Sequence, residues 1–179
     1  ADSAAASAAE DIPAARVHPE RWPEVAFPTV LTEAGEARVQ AILARMTLEQ
    51  KVGQIIQADI ASVTPEEVRR YRLGSVLNGG NSGPGGDDLA PAEKWLELAD
   101  AFYDASMDVA VGEPAIPIVW GTDAVHGHSN IIGATIFPHN VGLGATRDPE
   151  LIERIGQVTA VEIRVTGQEW TFAPTVAVP

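Results

Sequence analysis

The sequence predicts an α/β fold built on a parallel sheet. Short apolar runs at Ser75-Val76-Leu77, over residues 116–120 and over residues 171–178 read as strands. Between them lie apolar residues at helical spacing. The first set is Leu98, Phe102, Ala105 and Val109, and the second is Leu151, Ile155, Val158, Val161 and Val165. Strand–helix–strand–helix–strand order implies parallel strands joined by right-handed crossovers. Such sheets occur in barrels or in doubly wound sandwiches. Three strands do not close a barrel of eight, and buried parallel strands need neighbours on both edges. The expectation is therefore the first part of a larger α/β domain, with the remaining strands supplied elsewhere.

The elements follow in chain order. Residues 1–15 hold eight Ala with Ser, Asp and Glu, and no basic residue precedes Arg16. This lacks the basic start and apolar run of a secretory signal, and reads as a poorly ordered arm. Residues 16–34 place Pro19, Pro23 and Pro28 among Trp22, Val25, Phe27, Val30 and Leu31. Prolines at that density block helices and sheet ladders, so an extended arm is expected, giving an N-terminal segment over residues 1–35. From near Gly35, Val39, Ile42, Leu43 and Met46 form one face of a helix. Thr47-Leu48-Glu49-Gln50 reads as a capping box, and Ile55-Ile56 follow in an apolar stretch of undecided type. Thr64-Pro65-Glu66-Glu67 starts another helix, with Thr as N-cap and Pro at N1, ending before Gly74. Asp148-Pro149-Glu150 starts the last helix, and Gly167 is its stop.

Composition narrows the function classes. The 179 residues carry 12 Lys and Arg against 25 Asp and Glu, a net charge of −13. That balance opposes sequence-independent binding to nucleic acid or anionic membrane, which needs clustered cations. No apolar run is long enough for a membrane span. The absence of Cys excludes disulfides, thiol catalysis and Cys-ligated metal.

The stretch from Gly121-Thr122-Asp123 to His126-Gly127-His128 carries the most chemistry. Ligands of parallel α/β folds bind at the carboxyl ends of strands, and Asp123 stands just past one. An ionised carboxylate there accepts charge-assisted hydrogen bonds from adjacent sugar hydroxyls. The plain alternative is a loop Asp capping a turn. His126 and His128 with Asp123 have the residue types of a metal site, but the H-x-H pattern alone is unspecific. Structural or hydroxyl-binding roles are expected for them, and His139 and Asn140 are expected to fix their loop through backbone. No G-x-S-x-G elbow surrounds Ser129. The glycine-rich loop over residues 79–86 lacks a Walker Lys and is followed by Asp87 and Asp88, so a βα-loop is expected rather than a phosphate cradle. Trp95, Phe102 and Trp120 are assigned to the core. Trp22 and Trp170 stay open between core packing and sugar stacking.

At these residues the sequence resembles glycoside hydrolase family 3, in its exo-1,3/1,4-β-glucanase and β-glucosidase branch. Four stretches carry the resemblance: residues 46–54, 73–80, 116–148, and Phe172-Ala173-Pro174. Together they span roughly residues 36–179. The resemblance implies a (β/α)8 TIM-type barrel, with its first ~3 βα units over residues 36–179, followed by an α/β sandwich domain. It implies retaining, exo-acting release of glucose from β-glucans or β-glucosides. Retention uses two carboxyl groups about 5–5.5 Å apart. By the resemblance the nucleophile Asp and the acid/base Glu both lie beyond residue 179. Asp123 is then the residue that binds hydroxyls of the innermost glucose, and His126, His128, His139 and Asn140 support its loop. No cofactor is expected. The implied location is secreted or periplasmic. Two alternatives stand beside this reading: a non-catalytic sugar-binding module, and a metal-dependent hydrolase using His126 and His128.

Overall fold

The computed structural model describes residues 32–79 and 82–175. The expected arm over residues 1–35, as far as residue 31, and the expected strand residues 176–178 lie outside the described residues. The elements in order are α1 (Glu33–Leu43), α2 (Leu48–Gln54), β1 (Gln57–Asp59), α3 (Pro65–Tyr71), β2 (Ser75–Asn78), α4 (Ala92–Met107), β3 (Val119–Thr122), α5 (Asn140–Ala145), α6 (Pro149–Arg164) and β4 (Trp170–Thr171). The four strands form one parallel sheet in the order β1-β2-β3-β4. This is the arrangement of a barrel's opening strands, and the four do not close.

The helix starts follow their caps. Thr32 caps α1 by accepting from the Gly35 N–H, so the helix begins at Glu33, slightly ahead of Gly35. Thr47 with Gln50, and Thr64 with Glu67, each form a complete capping box. Each N-cap contributes about 1 kcal/mol. Asp148 caps α6, with Pro149 in its first turn, and Gly167 follows the helix at φ +84°.

Register sorts the sheet residues onto two faces. Ala58, Val76 and Trp120 share one face, and Asn78, Thr122 and Thr171 continue it. Helices cover this face. Val68 of α3 and Trp95 and Phe102 of α4 join Val76 and Trp120 in the core, all nearly inaccessible. The Trp120 ring lies 6.0 Å from Trp95 and edge-on to Phe102 at 5.6 Å. The opposite face carries Gln57, Ser75 and Val119, then Asp59, Leu77, Gly121 and Trp170. Val119 and Trp170 are exposed there.

Three expectations change. The sheet has one strand more than spacing predicted, because β1 holds only three residues and carries no alternation to detect. On α6 the inward residues are Leu151, Ile155, Thr159 and Ile163, while Val158, Val161 and Val165 are exposed. That helix is apolar around more than one face, so periodicity placed Leu151 and Ile155 inward but continued the stripe along the wrong side. On α4 the buried positions are Trp95, Ala99, Phe102 and Ser106, and Val109 lies past the helix end.

Two glycines let α2 meet the α3–β2 turn backbone to backbone. A Cβ on Gly53 would stand 2.0 Å from the Tyr71 carbonyl oxygen, and one on Gly74 would stand 2.1 Å from that of Gln54. The contact is closed by the Gly74 N–H donating to the Gly53 carbonyl at 3.0 Å.

His128 is the notable polar residue of the core. It is fully inaccessible and edge-on to Trp95 at 6.2 Å. Its Nε2 meets Thr166 Oγ1 at 2.9 Å. The Thr166 hydroxyl donates its own proton to the Ile163 carbonyl at 2.8 Å, so Nε2–H is the donor to Thr166. Burial pushes the His128 pKa down to about 4, against a smaller opposing pull from Glu162.

This packing sets the expected behaviour of variants. Gly53→Ala lowers stability by about 1–3 kcal/mol or more, because the obstructing atom is backbone. Gly156→Ala, in α6 with nothing within 4 Å of the added carbon, raises it by about 0.5–1 kcal/mol. Denaturant midpoints of the two variants should move in opposite directions. For His128, the unfolded chain takes up a proton near pH 6.5 and the folded chain only near pH 4. Its contribution to stability is thus complete above pH 6.5 and is lost as pH falls toward 4, by up to about 1.4 kcal/mol per pH unit. An NMR titration of the His128 ring should show its midpoint well below that of a free imidazole, and an ordinary midpoint contradicts the burial argument.

Candidate functional site

The site is built where β3 ends. Outer-face side chains of β2 and β3 are locked together there. The buried Asn78 accepts from Trp120 Nε1 at 2.8 Å and donates to Thr122 Oγ1 at 3.0 Å. Asn130 donates to Thr122 Oγ1 at 3.3 Å and to the Asp123 carbonyl at 3.1 Å. The Asp123 N–H points at the Asn78 carbonyl at 3.4 Å. Asp123 is therefore held on both sides of its backbone at the carboxyl end of the sheet.

Its side chain is half-buried, and no described residue donates a hydrogen bond to its carboxylate. Asp59, at the end of β1, differs. Its oxygens accept from the Ser82 hydroxyl at 2.9 and 3.1 Å and from the Ala61 N–H at 2.8 Å. Sequence reasoning did not single out Asp59, since β1 itself was not recognised.

After Asp123 the chain makes a long loop before α5. His126 Nδ1 lies 3.2 Å from the Phe137 carbonyl, and the Phe137 N–H donates to the His126 carbonyl at 2.9 Å. Gly127 has φ +79°, and a Cβ there would stand 2.2 Å from the Thr135 carbonyl oxygen. Only glycine allows the two legs of the loop to approach this closely. His139 caps α5 by accepting from the Val141 N–H at 3.3 Å, with its ring 5.5 Å from that of His126. Asn140 Nδ2 donates to the Thr175 carbonyl at 2.8 Å and meets its hydroxyl as well. Glu162 on α6 accepts from the Thr135 N–H and hydroxyl.

The structure thus brings Asp123, His126, His139 and Asn140 into one loop assembly. His128 turns away into the core against Thr166. The two histidines of the H-x-H pattern point to different partners. Among the described residues, no group of three or more His, Asp and Glu side chains is placed to hold a metal ion. The glycine-rich loop contributes a 3-10 turn at Pro84–Gly86, and Asp87 accepts from the Leu89 N–H. Trp170 lies on the open sheet face over Gly121, 4.3 Å from Phe172 and half-exposed. Trp22 lies outside the described residues. Behind the Asp123 loop is an apolar hollow lined by Val125, Leu143, Ile155 and Ile163, which offers few groups to a hydroxylated ligand.

Sequence reasoning missed Asn78, Thr122, Asn130 and Glu162 as loop-holding residues. No spacing rule marks them, because each acts across elements distant in the chain.

Comparison with known proteins agrees with this fold. Among solved structures, the chain is similar to an exo-1,3/1,4-β-glucanase from a Pseudoalteromonas species. The two are 56% identical with a TM-score of 0.76, over 83% of this chain and 19% of that one. A lysosomal β-glucosidase of Dictyostelium discoideum is 30% identical over 160 residues, 81% of this chain and 19% of the relative. A periplasmic β-glucosidase of Salmonella typhimurium is 26% identical over 151 residues, 82% of this chain and 17% of the relative. The chain spans about a fifth of the length of these proteins. Residues 47–179 match the Glycosyl hydrolase family 3 N terminal domain. With the parallel sheet and the strand-end Asp123 loop already in place, that match settles the affiliation: the chain belongs to glycoside hydrolase family 3.

Proposed function

We propose that the protein carrying this chain is a retaining, exo-acting β-glucan glucohydrolase or β-glucosidase, and that Asp123 binds hydroxyls of the terminal glucose. The observation that carries this is the Asp123 carboxylate. It sits at the carboxyl end of β3, is fixed through its backbone, and is not engaged by any described residue. Adjacent sugar hydroxyls supply the donors such a carboxylate accepts. The neighbouring Trp170 and Phe172 offer aromatic surface of the kind that packs against the apolar face of a pyranose.

In this reading residues 1–35 are an N-terminal arm and residues 36–179 are the first part of a (β/α)8 barrel. The barrel's remaining strands and an α/β sandwich domain complete the protein. The nucleophile and acid/base carboxylates lie beyond residue 179, and the two stand about 5–5.5 Å apart as retention requires. His126, His139 and Asn140 hold the Asp123 loop, and His128 anchors it to the core. The chemistry needs no cofactor. Among the described residues no helix is long and apolar enough to cross a membrane. The names of the relatives, periplasmic and lysosomal, support a location outside the cytoplasm, secreted or periplasmic.

The test uses the full-length enzyme with β-glucan and aryl β-glucoside substrates. Asp123→Ala should cost about 3 kcal/mol or more of transition-state stabilisation, roughly a hundredfold or more in kcat/KM, since charge-assisted hydrogen bonds to the sugar are lost. Unchanged glucose release by that variant sinks the assignment. Residues 1–179 alone should release no glucose, and turnover by that fragment contradicts the placement of the catalytic pair.

A further inference from the structure

We infer that Glu162 is a positioning residue for Asp123, acting from α6 by fixing the return leg of the Asp123 loop through Thr135. The inference rests on the reading of Asp123 as the sugar-binding carboxylate and goes beyond it, because Glu162 itself touches no sugar.

The loop between β3 and α5 has two legs. The outgoing leg runs from Asp123 to Asn130, and the return leg runs through Thr135 and Phe137 to His139. The legs are fastened to each other at His126 and Phe137, and by the close seat of Gly127 on the Thr135 carbonyl. Fastening the legs together at these points does not by itself fix the return leg over its whole length. The outgoing leg has its own moorings, at Asn130 to Thr122 and at His128 to Thr166. Among the described residues, the hydrogen bonds of residues 131–138 reach outside the loop only at Thr135, and only to Glu162.

The geometry there is specific. Both Glu162 oxygens face the Thr135 N–H, at 3.0 and 3.2 Å, and one also accepts from the Thr135 hydroxyl at 2.9 Å. A charged acceptor gathering two donors from one residue fixes that residue in direction as well as distance. Thr135 in turn seats Gly127, which follows Asp123 by four residues on the outgoing leg. Without Glu162 the return leg loses its link to α6, and the Thr135 carbonyl against which Gly127 sits is no longer fixed in place. A small drift at a group that orients substrate is costly to turnover even when the fold is unaffected.

The experiment is a double-mutant cycle in the full-length enzyme, read as kcat/KM on 4-nitrophenyl β-D-glucoside. Glu162→Ala should lower kcat/KM roughly tenfold to a hundredfold. Glu162→Gln, which keeps an oxygen for the Thr135 N–H, should recover most of that loss. In an Asp123→Asn background Glu162→Ala should cost little more, because the group it positions is already impaired. Full activity in Glu162→Ala, or an equal fold-loss in both backgrounds, overturns the inference. Thr135→Val, which removes only the hydroxyl, is read through the same cycle if Glu162→Ala lacks a cooperative melt. The two readings separate cleanly. A deep loss in Asp123→Asn with full activity in Glu162→Ala removes only the role of Glu162. Wild-type activity in Asp123→Asn removes the reading of Asp123 itself.

Discussion

The buried amide of Asn78 is the interaction on which the rest of this structure depends. It sits with no solvent access on the helix-covered face of the sheet, between the Trp120 indole and the Thr122 hydroxyl. A buried amide left unsatisfied costs several kcal/mol, so β2 and β3 are held in one register in which these groups meet. Thr122 passes the same constraint to Asn130, and Asn130 passes it to the backbone of Asp123. The packing of Trp120 against Trp95 and Phe102 and the placing of a carboxylate at the sheet's end are thus parts of one network. Networks of this kind specify a single arrangement only when every member is paired.

The two faces of the sheet have different tasks as a result. The outer face is sealed by α3 and α4 and carries stability through Val68, Val76, Trp95, Phe102 and Trp120. The inner face, with Asp59, Leu77, Gly121 and Trp170, is left open by the described residues. Glycines mark the places where backbone replaces side chain: Gly53 and Gly74 at the α2 contact, Gly121 beneath Trp170, and Gly127 inside the loop. Their recurrence within the stretches that carry the family likeness has a steric reason at each point.

Much of the fold was legible because it is written in local chemistry. Thr47 with Gln50, Thr64 with Pro65 and Glu67, and Asp148 with Pro149 announce helix starts through caps that involve only three or four consecutive residues. The Asp123 stretch was legible through its place after an apolar strand. The strand β1 was not, because three residues sustain no periodicity and only pairing with β2 defines them. The inward face of α6 was misread beyond Ile155 because apolar residues occur around much of the helix, and only the position of the sheet selects among them. The parting of His126 and His128 was equally hidden. Two residues apart in an irregular loop, they follow no fixed periodicity, and Gly127 between them adopts a conformation that sends His128 to the core.

The sequence by itself determined the α/β class, the helix boundaries set by caps, the acidic and cysteine-free character, and Asp123 as the carboxylate to watch. Each is a property of composition or of neighbours along the chain. The tertiary structure alone decided the four-strand order, which sheet face is open, the neutral core role of His128, and the hold of Asn78, Asn130 and Glu162 on the Asp123 loop. Those depend on contacts between residues far apart in the chain, 44 positions in the case of Asn78 and Thr122. Such pairings are selected by packing and by the cost of leaving buried polar groups unpaired, and neither is written in any short stretch of chain.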